Sequence, residues 1–452
     1  MSTIAAISTA PGIGGIGIIR MSGKECFDIL AKIFKPINNS EKKGYTIKYG
    51  KIFDNDKIID EVLVSYFLEP KSYTTENMCE INSHGGMVVM KQILELCLKN
   101  GAILAEPGEF TKRAFLNGRI DLTQAEAVID VINSKTDKEA KASVNQLEGS
   151  LSKKINEIRQ DLISGMANIE VSIDYPEYDV PEVTNKEILD ILDRNRCRLE
   201  NLEKSFKNGK ILRDGVKTAI IGRPNAGKSS LLNVLLNEER AIVTEIEGTT
   251  RDTIEEYISL ECIPFKIIDT AGIRETDDTV EKIGVKKAIN IAKESDLIIA
   301  IFDISKNINQ EDKNILNILD DKNAIIVLNK IDITKECVDK KIFENKNKKI
   351  VTISTKTGEG IEELLDTMVK IASNEEIKND GELLVINTRH KVSVIKAQEA
   401  LKKAIDTIEA GMPIDVIAIY IKEILEELGK ITGETVTEDI INEIFSKFCL
   451  GK

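Results

Sequence analysis

The chain has 452 residues, 42% apolar and 30% charged, and its 62 basic against 75 acidic side chains give a net charge of −13. This composition suits a soluble globular protein of about three domains, and the acidic balance excludes a surface built for non-specific nucleic-acid binding while leaving room for one local basic patch. Seven scattered cysteines without a C-x-x-C pair, and only two histidines, exclude a disulfide framework, a zinc site and a His-rich metal site.

In chain order, residues 1–118 mix short apolar runs with turns. Residues 3–8, 15–20, 45–53, 61–67 and 78–82 read as extended, and 87–99 as a helix stopped by Asn100-Gly101, an α+β pattern. Gly12, Gly14 and Gly17 fit G-x-G-x-x-G, but they run into Ile18-Ile19-Arg20, which predicts a strand with no helix after it. The dinucleotide reading is rejected. From 119 to 208 glycine and proline become rare. Apolar residues recur at helical spacing (Ala125, Val128, Ile129, Ile132; then Ile155, Ile158, Leu162, Met166, Ile169), predicting long helices that are interrupted at 174–181 and resume at 185–206. From Val216, apolar runs at 218–221, 265–268, 297–302, 324–328 and 350–353 alternate with helical stretches, the pattern of a parallel βαβ sheet. Helices return at 389–409, 415–428 and 438–445. Two helical blocks around an α/β block predict an inserted domain; the alternative is one α/β domain with an unrelated tail. The expected pieces are 1–118, 119–210, 211–374 and 375–452, the second and fourth forming one bundle. The N-terminus lacks the charge and apolar run of a signal peptide, and no apolar run approaches about 18 residues, so neither a leader nor a membrane span is expected and the cytoplasm is the expected compartment.

A full P-loop follows the strand beginning at Val216: Gly222-Arg223-Pro224-Asn225-Ala226-Gly227-Lys228-Ser229, with Ser230 opening an amphipathic stretch. Its glycines let backbone N–H groups wrap phosphates at a helix N-terminus. Lys228 is expected to bring charge to the β- and γ-phosphates, and the Ser229 hydroxyl to ligate Mg²⁺. Asp269-Thr270-Ala271-Gly272 ends a second buried strand. Asp269 can hold Mg²⁺ through water, and the Gly272 amide can sense the γ-phosphate. Asn329-Lys330-Ile331-Asp332 ends another strand. A carboxylate at Asp332 can accept from N1–H and the 2-amino group of guanine, donors that adenine lacks, so the base is guanine. Ser354-Thr355-Lys356 would close over it. Alone, residues 329–332 read equally well as a surface turn; the order of motifs and strands decides for a GTP site. Between the first two phosphate motifs, Glu247-Gly248-Thr249-Thr250-Arg251-Asp252 offers a threonine, Thr250, for the Mg²⁺ shell. Ile273 stands where small GTPases carry a water-orienting glutamine, so hydrolysis must draw on something else.

Pro11-Gly-Ile-Gly-Gly-Ile-Gly-Ile-Ile-Arg20, Pro107-Gly-Glu-Phe-Thr-Lys-Arg-Ala-Phe-Leu-Asn-Gly118, Gln124-Ala-Glu-Ala127, the stretches 225–229 and 248–252, and Phe448-Cys449-Leu450-Gly451-Lys452 together resemble the MnmE (TrmE) family of tRNA-modification GTPases over essentially the whole chain. Many GTPases share the G motifs; the two ends of the chain make the identification. The resemblance implies an α+β N-terminal tetrahydrofolate-binding domain, an all-α helical bundle domain and an inserted α/β P-loop GTPase (Ras-like) domain. It implies a homodimer formed through the N-terminal domains, and the flavoprotein MnmG as partner in a heterotetramer-type complex. The implied reaction places a carboxymethylaminomethyl or aminomethyl group at C5 of the wobble uridine of certain tRNAs, with a one-carbon unit from 5-formyl- or methylene-tetrahydrofolate.

By position, the resemblance implies a K⁺ site at Asn225, Thr244, Ile246 and Thr249, with Glu245, Glu247 and Gly248 in the same GTP-contacting loop. Plain loop capping is the alternative for Asn225. Glu281 falls at the family's catalytic acidic position, where a solvated helix-start glutamate is the alternative. Arg20, Glu80, Arg119 and Lys452 fall at the folate positions. Arg119 departs from the usual lysine, keeping the charge but not its geometry, and the run from Glu80 to His84-Gly-Gly86 departs as well. Cys449 is a nucleophile, a redox thiol or an inert thiol. Two other functions compete. A ribosome-assembly GTPase would add an RNA-binding module with a G-x-x-G loop, which does not follow here. A GTP-driven scaffold would leave the tRNA chemistry to MnmG. Segments 204–217 and 345–349 are locally basic and read as solvated surface ahead of a tRNA site.

Overall fold

The computed structural model describes residues 2–37, 44–174, 185–237, 255–261, 263–269, 291–292, 294–320, 322–334, 340–372 and 387–452. They divide into two compact units, one of Met1–Ile129, Gln146–Arg196 and Ser393–Lys452, the other of Asp130–Asn145 and Cys197–Val392.

The N-terminal part runs β1 (Ile4–Ile7), β2 (Gly14–Ser22), α1 (Cys26–Ile33), β3 (Phe34–Pro36), β4 (Thr46–Asp54), β5 (Lys57–Phe67), β6 (Met78–Gly85), α2 (Met87–Lys99), β7 (Ile103–Leu104) and α3 (Glu109–Leu116). Its sheet has the order β3-β4-β5-β6-β2-β1-β7, antiparallel throughout except for β1 with β7. Strand periodicity sorts the side chains. Ile19, Met21, Val62, Val64 and Ile81 face α1 and α2, where they pack on Ile29, Leu30, Ile93 and Leu96. Arg20, Leu63, Glu80 and His84 occupy the alternate positions and face the other way. Gly14 and Gly17 lie inside β2, as the rejection of a dinucleotide loop requires.

Helices α4 (Leu122–Asn133), α5 (Asp137–Leu147), α6 (Ser150–Asp174) and α7 (Asn185–Asp214) follow. The predicted interruption at 174–181 falls mostly outside the described residues. Helix α7 runs eight residues past the expected stop at 206: the polar stretch there contains no proline, and Gly209 inside it is tolerated before Gly215 ends the helix.

The α/β part comprises β8 (Val216–Ile221), α8 (Lys228–Asn237), β9 (Glu255–Leu260), β10 (Ile263–Asp269), β11 (Leu297–Asp303), α9 (Gln310–Ile318), β12 (Ala324–Asn329), α10 (Lys340–Glu344), β13 (Lys349–Ile353) and α11 (Ile361–Ala372). The strand order is β13-β12-β11-β8-β10-β9. The five strands expected from the apolar runs pair parallel, and a sixth that the sequence reading did not foresee, β9, runs antiparallel to β10. Only two residues join them, too few for a crossover. The parallel strands are apolar on both faces and feed two cores. The chain leaves β8 for neighbours on both sides, so the carboxyl end of β8 is a topological switch point, where such sheets bind ligands.

Helices α12 (Thr388–Glu409), α13 (Ile414–Thr432) and α14 (Glu438–Ser446) complete the chain. Helix α13 packs along α6. Helix α14 and the residues after it bury Ile441, Phe445 and Phe448 against Leu122 and Ala125. Among the described residues, no helix is long and apolar enough to cross a membrane.

Candidate functional site

The P-loop leaves β8 at Gly222 and enters α8 at Lys228, so its amides converge on a helix N-terminus. Two residues bend it through the left-handed region, Asn225 (φ 61°) and Gly227 (φ 107°). A Cβ at Gly227 would lie 2.2 Å from Asn329 Nδ2, so only glycine fits. Lys228 Nζ donates to the Gly222 and Arg223 carbonyls, both at 2.9 Å, which keeps the ammonium inside the loop. Ser229 and Ser230 form the next positions of the first turn of α8. Arg223 anchors the loop from behind. Its guanidinium pairs with Asp312 at 3.1 Å, the two side chains being 10% and 3% exposed, and Asp312 also caps α9.

The opposite rim is tied to this loop by one side chain. Asn329 is fully buried at the end of β12. Its Nδ2 donates to Ala226 O (2.9 Å) and Thr355 Oγ1 (3.3 Å), and its Oδ1 accepts from Thr355 N (3.1 Å). Asp332 Oδ1 accepts from the buried Ser354 hydroxyl at 2.8 Å, and the same hydroxyl accepts from the amides of Lys356 (3.3 Å) and Thr357 (3.2 Å). One oxygen of the Asp332 carboxylate is thereby tethered. Lys330, at φ 75°, reaches Asp303 Oδ2 at 2.6 Å. Burial pushes the Asp303 carboxyl up, but hydrogen bonds from Lys330 and Ser305 outweigh it and hold the group below its usual range. Asp269 ends β10 in register with Ile220 of β8, which sets its backbone beside the start of the P-loop.

The structure thus brings together residues 225–230, 329–332 and 354–356; Asn329 lies 103 positions from Ala226 and 26 from Thr355. Thr244, Glu245, Ile246, Glu247, Gly248, Thr249, Thr250, Thr270, Ala271, Gly272 and Glu281 lie outside the described residues. Sequence reasoning missed Arg223, which occupies a variable position of the motif, and did not foresee Asn329 as a clasp. The basic run at 345–349 is engaged locally: Lys346 pairs with Asp320 (2.8 Å), and Lys348 donates to the carbonyls of Asp320 (3.1 Å) and Lys322 (2.7 Å).

A second site lies in the N-terminal part, a cavity of about 590 Å³ whose walls include Arg20, Tyr45, Phe67, Tyr73, Glu80 and Arg119. Arg20 on β2 faces Glu80 on β6 in register. Its Nε and Nη2 both reach Glu80 Oε1, at 2.9 and 2.8 Å, so a single oxygen of the carboxylate takes both bonds. Its Nη1 donates to Gly451 O at 3.1 Å. The Arg20 guanidinium lies 5.6 Å from the ring centroid of Tyr73, and that of Arg119 lies 4.8 Å from it. Arg119 also donates to Tyr73 O (2.9 Å). Lys452 sits half-buried; burial, then the Arg20 charge, holds its ammonium below the usual lysine range. Arg20, Glu80 and Lys452 therefore converge, with Arg119 across Tyr73. Cys449 is exposed, and its carbonyl accepts from Gly108 N at 3.4 Å. The aromatic wall residues Tyr45, Phe67 and Tyr73 are among those that sequence reasoning missed. His84 is exposed and bonds Asp60 through Nδ1 at 2.7 Å. Among the described residues, no cluster of His, Cys, Asp and Glu could hold a metal ion.

Two family descriptions match the chain: "GTP-binding protein TrmE N-terminus" over residues 3–119 and "MnmE helical domain" over residues 122–449. The tRNA modification GTPase MnmE of Acetivibrio thermocellus is 50% identical over 457 residues, covering 100% of this chain and 99% of that protein. The protein of the same description from Clostridioides difficile is 50% identical over 454 residues, with 100% and 99% covered. The one from Streptococcus thermophilus is 47% identical over 452 residues, with 100% and 98% covered.

Proposed function

The chain belongs to the MnmE family of tRNA-modification GTPases, and from that premise we propose a potassium-activated GTPase that acts in the cytoplasm with the flavoprotein MnmG. The pair, in a heterotetramer-type complex, installs a carboxymethylaminomethyl or aminomethyl group at C5 of the wobble uridine of certain tRNAs. The observation that carries the nucleotide reading is the clasp of Asn329 between Ala226 and Thr355, beside a carboxylate at Asp332 that Ser354 tethers through one oxygen. A planar acceptor for two guanine donors and a phosphate-wrapping loop are thereby one rigid piece.

Lys228 brings positive charge to the β- and γ-phosphates. A hydroxyl at the first turn of α8 and a carboxylate at the end of β10 are hard oxygen donors that suit Mg²⁺, so Ser229 and Thr250 would hold the ion directly and Asp269 through water. Held there, the ion would supply positive charge to the transferring phosphoryl group. The side-chain amide of Asn225, at the bend of the P-loop, suits a hard monovalent cation. Thr244, Ile246 and Thr249 would complete that K⁺ site, which stands in for the charge of an arginine finger. Glu281 orients the attacking water in place of the glutamine that Ile273 replaces.

The N-terminal cavity has the size and lining of a small-molecule site: an aromatic wall, an acidic acceptor at Glu80 and basic groups at Arg20 and Arg119, with Lys452 close enough to Arg20 to feel its charge. It fits a 5-formyl- or methylene-tetrahydrofolate, whose bound form supplies the one-carbon unit. Glu80 would accept from the amino edge of the pterin, and the basic groups would complement the glutamyl tail. The homodimer is supported by exposed apolar side chains on the outer sheet face, Ile47 (65% exposed), Tyr49 and Leu63. Hydrolysis rates in KCl and NaCl at matched ionic strength test the cation: K⁺ should give much the faster turnover, Asn225→Ala should lose the stimulation while still binding GTP, and equal rates in both salts refute it. Glu281→Ala should keep K⁺-dependent association but lose turnover.

A further inference from the structure

The Arg20 guanidinium joins two things that have no other reason to be joined. Two of its nitrogens hold Glu80 Oε1 on the cavity wall, and the third holds the carbonyl of Gly451. The side chains of Arg20 and Glu80 are 14% and 19% exposed, so water competes weakly for these bonds. The segment after α14 is seated by further contacts: the Ser8 hydroxyl donates to Gly451 O at 3.0 Å, Phe110 N to Lys452 O at 3.2 Å, and Gly108 N to Cys449 O at 3.4 Å. Gly451 adopts φ 85°, and a Cβ there would lie 2.4 Å from Ile7 O and 2.7 Å from Ser8 Cα. The segment therefore has one tight seat against β1, and Arg20 is the side chain that links that seat to the cavity.

A guanidinium is a rigid planar fork, so it cannot turn toward one partner without turning away from the other. We propose that Arg20 is a positioning residue that makes filling of the cavity and seating of residues 448–452 a single equilibrium: donors of a bound ligand that engage Glu80 Oε2 immobilise the carboxylate, the carboxylate immobilises the fork, and the fork holds Gly451 and with it Cys449. The proposal rests on the folate reading of the cavity. It adds that the segment bearing Cys449 is ordered by the ligand, and by linkage that unseating the segment weakens the ligand by the same factor.

Cys449 is exposed even with the segment seated, so the backbone amides of residues 448–452 report the equilibrium. In the full-length chain their hydrogen-exchange rates should fall on saturation with 5-formyl-tetrahydrofolate by a factor in the range of about 5 to 150 typical of coupled sites. Gly451→Ala, whose new methyl meets Ile7 O and Ser8 on the β1 side of the segment, should speed this exchange, remove its response to the ligand and weaken the ligand by a matching factor. Arg20→Gln should also remove the response, and Arg20→Lys, which keeps the charge without the fork, should not restore it. Circular dichroism and GTP binding establish that each variant is folded. If the parent chain binds 5-formyl-tetrahydrofolate and residues 448–452 exchange equally fast free and loaded, or if Gly451→Ala keeps the parent affinity, the coupling is overturned while the folate reading stands. If the parent chain does not bind the ligand, the folate reading falls and the coupling with it.

Discussion

The nucleotide site and the N-terminal cavity are assembled by opposite strategies. The first is built from three short contiguous runs at the ends of parallel strands, and much of its chemistry is backbone, so its residues recur at fixed spacing. The second takes single side chains from β2, β6, the turn after β5 and the start of the helical region, and the backbone serves only to hold them, through the carbonyls of Gly451 and Tyr73. A site made from runs is intolerant at its joints, where one atom serves two loops. A site made from scattered side chains is more tolerant, because each contributes separately and neighbours can adjust.

The largest effect is expected at Asp332. Asp332→Asn replaces one acceptor by a donor facing a guanine donor and should weaken GTP by about 100-fold or more, while xanthosine triphosphate, with a carbonyl in place of the amino group, should gain relative to GTP. Competition titration measures both, and unchanged GTP affinity would contradict the assignment of the base. Next comes the joint itself. Gly227→Ala sets a methyl against Asn329 Nδ2 and strains the backbone at φ 107°, so the clasp should open and GTP affinity should fall by at least about tenfold, from strain on the order of 1–3 kcal/mol. In the cavity, Tyr73→Leu keeps apolar bulk but removes the ring against which both arginines lie. A loss of about 0.5–2 kcal/mol in 5-formyl-tetrahydrofolate binding is expected, with GTP affinity unaltered; a shift in GTP affinity would break the contrast between the two sites. The smallest change is expected for Arg119→Lys, which keeps the charge and gives up planar stacking. Calorimetry should find less than about 1 kcal/mol, and a loss larger than that of Tyr73→Leu would show that the planar fork of Arg119, and not its charge, carries its part in binding.

The same contrast explains what could be read in advance. Buried parallel strands are apolar on both faces, so β8, β10, β11, β12 and β13 stand out as runs, each followed by a motif. Strand β9 did not stand out, because an edge strand reading Glu-Glu-Tyr-Ile-Ser-Leu resembles any exposed segment. Residues Gly227 and Asp332 were legible from the motif; Arg223 was not, since its partner Asp312 lies 89 positions away in a helix cap. Arg20 and Glu80 were visible only through family resemblance. Nothing in their neighbourhoods marks them as facing partners, a relation set by the β2–β6 register. Tyr73 belongs to no periodic element at all.

Ser8 and Gly451 are 443 positions apart, yet they share a hydrogen bond. Closing so long a loop costs little more than closing a short one, because the entropy grows only logarithmically with length, so the α/β part can stand between them at small thermodynamic expense. Time is a different matter. A ribosome adding about 5–20 residues per second needs roughly 20–90 s to travel from one partner to the other. Throughout that interval β1 and β2 are already synthesised while Arg20 lacks the carbonyl it will hold. The strands and motifs of the nucleotide site, ending at Lys356, emerge well before the N-terminal cavity can acquire its final neighbour. During synthesis, the part of the protein made first is therefore the part finished last.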